Sequence, residues 1–255
     1  MDAFDALLDE ARAVPLAGWD FSWFDGRATE QRPSWGYAGL VAERLSSADS
    51  ALDVQTGGGE VYAYAASVAT RRPALLVAAE SWPPNVGVAA RTLRPYGGRV
   101  VAADGTPGLP FRDGAFDLVV SRHPVHTWWD ETARVLRPRG VFLSQQIGAG
   151  SNRELSEAMM GPLPPPAARQ QPERIAAAAE AAGFEVLRVR AESLRAEFYD
   201  IGAVAHFLRK VIWTVPDFTI EKYRDRLRAV HEEITVNGMF VSHAKRVLIE
   251  ARRCR

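Results

Sequence analysis

The 255-residue sequence holds a single cysteine, Cys254. An intramolecular disulfide is therefore impossible, and so is a metal site built from cysteines. An excess of either charge is also missing, with 31 Lys plus Arg against 31 Asp plus Glu. No global field draws this chain toward nucleic acid or an anionic membrane. No apolar run reaches membrane-spanning length. The opening MDAFDALLDEARAV is acidic and helix-patterned, without the basic start and apolar block of a secretion signal, so a cytoplasmic location is expected. No Gly-Lys-Ser/Thr follows a glycine loop, which excludes a phosphate-binding P-loop. No His/carboxylate cluster has ligand spacing, so no metal is expected. Repeats are absent, and the one biased tract is the proline-rich GPLPPPAARQQ at 161–171.

What is present is a rhythm of short apolar runs and helix-like segments. ALDVQ (51–55), ALLVAAE (74–80), RVVAAD (99–104), FDLVVSRH (116–123) and VFLSQQIG (141–148) read as buried strands. Between them GEVYAYAASVATR (59–71), PNVGVAARTLRPYGG (84–98) and TWWDETARVLRPRG (127–140) have helical spacing, the last stopped by Pro138 and Gly140. Strands apolar on both faces and separated by helices predict a parallel sheet covered on both sides, a doubly wound α/β fold. Beyond the proline tract, residues 172–192 read as a helix and a sixth strand, and RVLIEARR (246–253) as a last strand. Residues 193–243 between them read as a helical insertion. The expected division is a helical prefix (1–49) rich in tryptophan, a core (50–150), and a cover with the last strands (151–255).

Ligands of such sheets sit beyond the carboxyl ends of the strands. The strand-end residues therefore matter most: Asp53, Glu80, Asp104 and Ser121 to His123. After Asp53 comes the glycine loop QTGGGE. Three adjacent glycines are costly to order, which favours a ligand-binding loop over a bare turn. A dinucleotide fingerprint needs a third glycine for close helix–strand packing, and Tyr62 stands there instead. A cofactor without phosphates fits better. Glu80 has two oxygens to accept from a ribose diol, Asp104 can accept from an adenine amino group, and Asp53 can order the loop and favour an ammonium group. The Trp82 indole can pack on the adenine. Singly, each acid is as easily a solvated strand end; as a set of three, the ligand role is favoured.

The segments LDVQTGGGE, VAAESW, VAADGTPGLPFRDGAFDLVVSRHPVHTWW and LRPRGVFL, in that order, resemble class I S-adenosylmethionine-dependent methyltransferases of the small-molecule, ubiquinone-methylase-like type. The resemblance covers about residues 50–150. It implies a Rossmann-like seven-stranded sheet with an antiparallel last strand and S-adenosylmethionine as cofactor. The cofactor-binding set it implies is Asp53, Gln55, Thr56, Gly57, Gly59, Glu80, Ser81, Trp82, Asp104, Gly105, Ser121 and Arg122. Gln55 stands where the family often has glycine. Glutamine suits an extended strand end and fails only where φ must be positive. A non-catalytic S-adenosylmethionine-binding relative therefore stands as an alternative, with an RNA methyltransferase behind it.

His123 and His126, at the mouth of the expected site, are the candidates for a base that deprotonates an acceptor. The competing reading, loop histidines with structural hydrogen bonds, weighs more. Arg32, Trp35 and Tyr37, in the stretch 21–40, either reach the methionine end of the cofactor or only cap the sheet. Tyr199, Asp200 and His206 are the polar candidates of the insertion. The expected partner is a small-molecule acceptor, with nucleic acid disfavoured, no membrane, and oligomeric state open.

Overall fold

The computed structural model describes residues 2–16, 21–103 and 108–254. Among them the elements in chain order are α1 (Ala3–Ala13), β1 (Ala28–Glu30), α2 (Tyr37–Ser47), β2 (Ser50–Val54), α3 (Glu60–Val68), β3 (Leu75–Glu80), α4 (Pro83–Leu93) and β4 (Arg99–Ala102). There follow β5 (Phe116–Arg122), α5 (Trp129–Val135), β6 (Leu136–Ile147), α6 (Arg153–Met160), α7 (Pro172–Ala181), β7 (Phe184–Phe198), α8 (Ile201–Lys210), α9 (Arg224–Asn237) and β8 (Phe240–Arg253). The strand order is β1-β7-β8-β6-β5-β2-β3-β4. Pairs β2–β3, β3–β4, β2–β5 and β5–β6 are parallel. The last strand, β8, runs antiparallel to β6. This is the doubly wound, mostly parallel Rossmann-like α/β sheet expected from the strand rhythm, with one further short strand.

The chain divides into two compact units. The larger comprises Pro33–Gly148, Ala168–Glu192 and Arg246–Arg255. Every residue of β2 is buried, because alternate side chains serve two cores. Ala51, Leu76, Ala78, Leu118 and Val120 meet α2 and α3 through Val41, Leu45, Tyr62 and Ala66. Leu52, Val54, Val77, Ala79 and Val119 meet α5 and α7 through Val135, Ile175 and Ala179. Strands with both faces covered leave only their ends for a ligand.

The smaller unit comprises Met1–Arg32, Ala149–Ala167 and Ser193–Lys245. Its core joins Phe4, Leu8 and Ala11 of α1, Leu155 and Met159 of α6, Ile201, Val204, Ala205 and Leu208 of α8, and Leu227, Val230 and Ile234 of α9. These are helical repeats of three and four. Asp200 caps α8, accepting from the Ala203 amide at 2.8 Å. A Cβ on Gly202 would lie 2.8 Å from the Leu7 carbonyl oxygen, so α8 approaches α1 as only glycine permits.

Three boundaries differ from the sequence expectation. The helix read over 127–140 ends at Val135, and residues from Leu136 on are strand. Arg137 precedes Pro138 and is steered to extended backbone, and Arg139 has φ +66°. The insertion is shorter than 193–243, because β7 runs on to Phe198 and β8 starts at Phe240. In β7 exposed charged residues are interleaved with partly buried ones, a half-covered strand that looks polar in sequence. The prefix is not wholly helical: β1 pairs antiparallel with β7, Ala28 opposite Phe198.

Candidate functional site

The site is built from the carboxyl ends of β2, β3 and β5 and the loops that follow them. Asp53 is buried near the end of β2 and accepts from the Thr56 hydroxyl at 2.6 Å. Burial, with the Glu80 charge added, pushes its carboxyl up to about 7, against the opposing pull of the Thr56 hydrogen bond and Arg122. Thr56 donates its amide to the Ala79 carbonyl, which pins the start of the glycine loop to β3.

Gln55 departs from the expectation for it. Its φ is +59°, in the left-handed region rather than extended. The position therefore does carry the backbone geometry that favours glycine, at a cost of about 1 kcal/mol. The side chain offsets that cost. Its Nε2 donates to the His126 carbonyl and its Oε1 accepts from the Val125 amide, both at 2.7 Å. One amide thus clamps the glycine loop to the loop after β5.

Gly57 and Gly59 also have positive φ, +63° and +80°. A Cβ on Gly59 would lie 3.2 Å from Leu93 Cγ. Here the start of α3 lies close against α4. Tyr62, at the position of a dinucleotide fingerprint's third glycine, is instead buried on α3. Its hydroxyl has no hydrogen-bond partner, and burial raises its ionisation well above the usual tyrosine value.

Glu80 ends β3 and is buried. Oε2 accepts from the Gly57 amide at 2.7 Å, and Oε1 from the Ser81 and Trp82 amides at 2.9 Å each. A carboxylate offers about four acceptor positions, so three are engaged within the protein. Glu80 organises the glycine loop and the β3 turn together. Trp82 precedes Pro83 and Pro84 at the start of α4, and the residue is 49% exposed. It is a large apolar face left beside that carboxylate. Asp104 and Gly105 lie outside the described residues.

At the end of β5, the Ser121 hydroxyl donates to the Val54 carbonyl at 2.7 Å and is buried. It ties β5 to β2, while the Arg122 side chain is exposed. His123 has φ +54°. Its amide donates to the Gln145 carbonyl at 2.7 Å, and its Nε2 lies 2.9 Å from Gln145 Nε2. The Gln145 Oε1 accepts from the Trp35 indole at 2.8 Å. Burial, then the cations Arg122 and Arg246, holds the His123 ring well below the usual histidine range. His126 is exposed, and its carbonyl accepts from Gln55 Nε2. Tyr37 is buried and its hydroxyl donates to the Leu143 carbonyl at 3.4 Å.

The structure thus brings Asp53, Gln55, Thr56, Gly57, Glu80, Ser81 and Trp82 into one hydrogen-bonded cluster with Ser121 beside it. The insertion's candidates serve the helical unit instead: Asp200 caps α8, the Tyr199 hydroxyl donates to Glu197 at 2.7 Å, and His206 packs between Trp23 and Phe24. Sequence reasoning missed Gln145. Its signal was present: an amide pair, QQ, following the apolar run VFL within a buried strand is a polar group that must be satisfied.

The donor set also tests the ligand. The Gly57 amide is already held by Glu80, the loop has no Lys or Arg, and two buried acids border it, Asp53 before it on β2 and Glu80 across from it on β3. Such a site repels a pyrophosphate and accepts hydroxyls and an ammonium. The acid, glycine loop and acid at the strand tips, on a parallel sheet with an antiparallel last strand, agree with the fold that the resemblance implied. More particularly, residues 52–144 match the family model described as a methyltransferase domain. A sequence search among curated proteins finds no match. Among solved structures, the chain is similar to a candidate methyltransferase from Bacillus halodurans, at 20% identity and TM-score 0.56, covering 81% of this chain and 93% of that one. It is also similar to a candidate sarcosine dimethylglycine methyltransferase from Galdieria sulphuraria, at 16% identity and TM-score 0.51, covering 84% and 81%. A third is the Haemonchus contortus phosphoethanolamine N-methyltransferase 2, in complex with phosphomonomethylethanolamine and S-adenosylhomocysteine, at 16% identity and TM-score 0.51, covering 87% and 53%. At these identities the likeness is one of fold.

Proposed function

We propose that this protein transfers a methyl group from S-adenosylmethionine to a small-molecule acceptor in the cytoplasm. The observation that carries the proposal is Glu80. It is a buried carboxylate at the tip of β3, joined by hydrogen bonds to the glycine loop on one side and to the Trp82 turn on the other. When bound, S-adenosylmethionine supplies a methyl group made electrophilic by its sulfonium. The chain's own residues then have the tasks of binding and alignment. Glu80 accepts from the ribose hydroxyls through its remaining lone-pair position, and through a second one if a backbone amide is released. Asp53 favours the ammonium end. The exposed Trp82 indole packs on the adenine, and Asp104 is assigned to the adenine amino group. The small-molecule, ubiquinone-methylase-like subtype rests on the LPF, FDLVVS and LRPRG segments.

Calorimetric titration with S-adenosylhomocysteine and with NADH tests the cofactor: saturable binding of the first and none of the second is expected. The reverse result rules the proposal out. One observation favours a second reading, a non-catalytic module that binds the same cofactor: Gln55 holds a left-handed backbone where glycine would be unstrained. Tight S-adenosylhomocysteine binding, with no methyl release across hydroxyl, amine and carbon acceptors, selects the module.

A further inference from the structure

The side chains behind the β5 loop form a directed chain of hydrogen bonds. A tryptophan indole N–H only donates. The atom of Gln145 that faces Trp35 at 2.8 Å is therefore the amide oxygen, and the orientation of the Gln145 side chain is fixed. Its NH2 group must then be the atom 2.9 Å from His123 Nε2. An amide NH2 also only donates, so His123 Nε2 accepts and carries no proton. The neutral ring's single proton lies on Nδ1. The main chain reinforces this, because the His123 amide donates to the carbonyl of the same Gln145 and the residue has a left-handed φ of +54°. The charged groups that bear on the ring are Arg122 from β5 and Arg246 from β8, both cationic. Gln55 joins the neighbouring glycine loop to Val125 and His126 through neutral groups.

We propose that Trp35 and Gln145 are positioning residues that lock His123 as a neutral Nδ1–H hydrogen-bond donor, and that His123 is not a proton-accepting base. The chemical consequence, which rests on the methyltransferase reading, concerns the acceptor. It gives up no proton to this histidine. Burial and the two nearby cations disfavour the imidazolium in the same direction.

The test needs no activity, so it stands apart from the methyltransferase reading. Protein labelled with 15N-histidine is titrated between about pH 5 and 8, with His123 assigned by its loss in His123→Asn. The expected spectrum has protonated Nδ1, bare Nε2 and no titration over that range. An Nε2–H tautomer, or imidazolium formation within the range, overturns the proposal. Gln145→Glu replaces the donor with a carboxylate that still accepts from Trp35. It is expected to move the proton to Nε2 and raise the ring's pKa by at least about one unit. An unchanged tautomer in this variant also overturns the proposal. Trp35→Phe supplies an independent check should Gln145→Glu not fold: it frees the amide to flip, and a mixture of the two tautomers is expected where the wild type shows one. A single Nδ1–H form persisting in that variant counts against the role given to Trp35.

Discussion

Gln55 balances a left-handed backbone against two hydrogen bonds made by one side chain. Gln55→Gly removes both terms. About 1 kcal/mol of relieved strain is set against two hydrogen bonds of about 1 kcal/mol each. Global stability is expected to fall by no more than about 1 kcal/mol in urea denaturation. The Val125 amide, now without its acceptor, is expected to exchange with deuterium much faster than in the wild type. Asp53 poses the opposite problem. Its folded-state carboxyl, at about 7, lies above the usual 3.8, so folding favours the protonated form. Its contribution to stability is fullest at low pH, declines as pH rises from about 4 to 7, and is flat beyond. Asp53→Asn keeps an acceptor for Thr56 without the charge. It is expected to raise stability at pH 8 by about 1–3 kcal/mol and to weaken S-adenosylhomocysteine binding, both readable by calorimetry. Asp53 was legible in sequence as a strand-end acid. The handedness of Gln55 was not, because glutamine is acceptable in extended backbone and only the path of the loop sets its φ.

Among the elements, α3 and α4 meet where the glycine loop enters α3. Gly59 combines φ +80° with the approach to Leu93. Gly59→Ala is expected to cost about 1–3 kcal/mol in denaturant unfolding. Shrinking the obstacle in a Gly59→Ala, Leu93→Ala double variant is not expected to restore stability, since the backbone term remains and a cavity is added. At the other helical pair, Asp200→Ala removes the α8 cap and is expected to cost about 1 kcal/mol. The buried parallel strands were plain in the sequence because continuous apolar runs have few other uses. The short β1 and the early start of β6 were not. A three-residue strand has no periodicity of its own, and Leu136 pairs with Phe116, a partner twenty residues away that no local pattern names.

Across the whole molecule, acid and base dependence pull in opposite directions. His206 is buried between Trp23 and Phe24, and burial with Lys210 and Arg209 nearby lowers its ring to about 4 from 6.5. Its contribution is fully present above about pH 6.5 and is lost as pH falls toward 4. Asp53 does the reverse over nearly the same range. His206→Phe is expected to make thermal unfolding of the helical unit less sensitive to acid between about pH 6.5 and 4, while leaving its behaviour at pH 8 close to wild type. Unchanged acid sensitivity in scanning calorimetry would remove His206 from that role. The sequence by itself determined the alternation of the parallel strands with their helices, the acids Asp53 and Glu80 at the strand tips and the exclusion of a phosphate loop. These follow from local pattern and from which residue types are present at all. Only the tertiary structure decided that Gln55 bridges two loops, that Glu80 is largely engaged by backbone amides, and that Trp35 sets the proton on His123 through Gln145. Each of those depends on at least one hydrogen-bond partner more than twenty residues away, and directional bonds between distant groups leave no periodic trace in the chain.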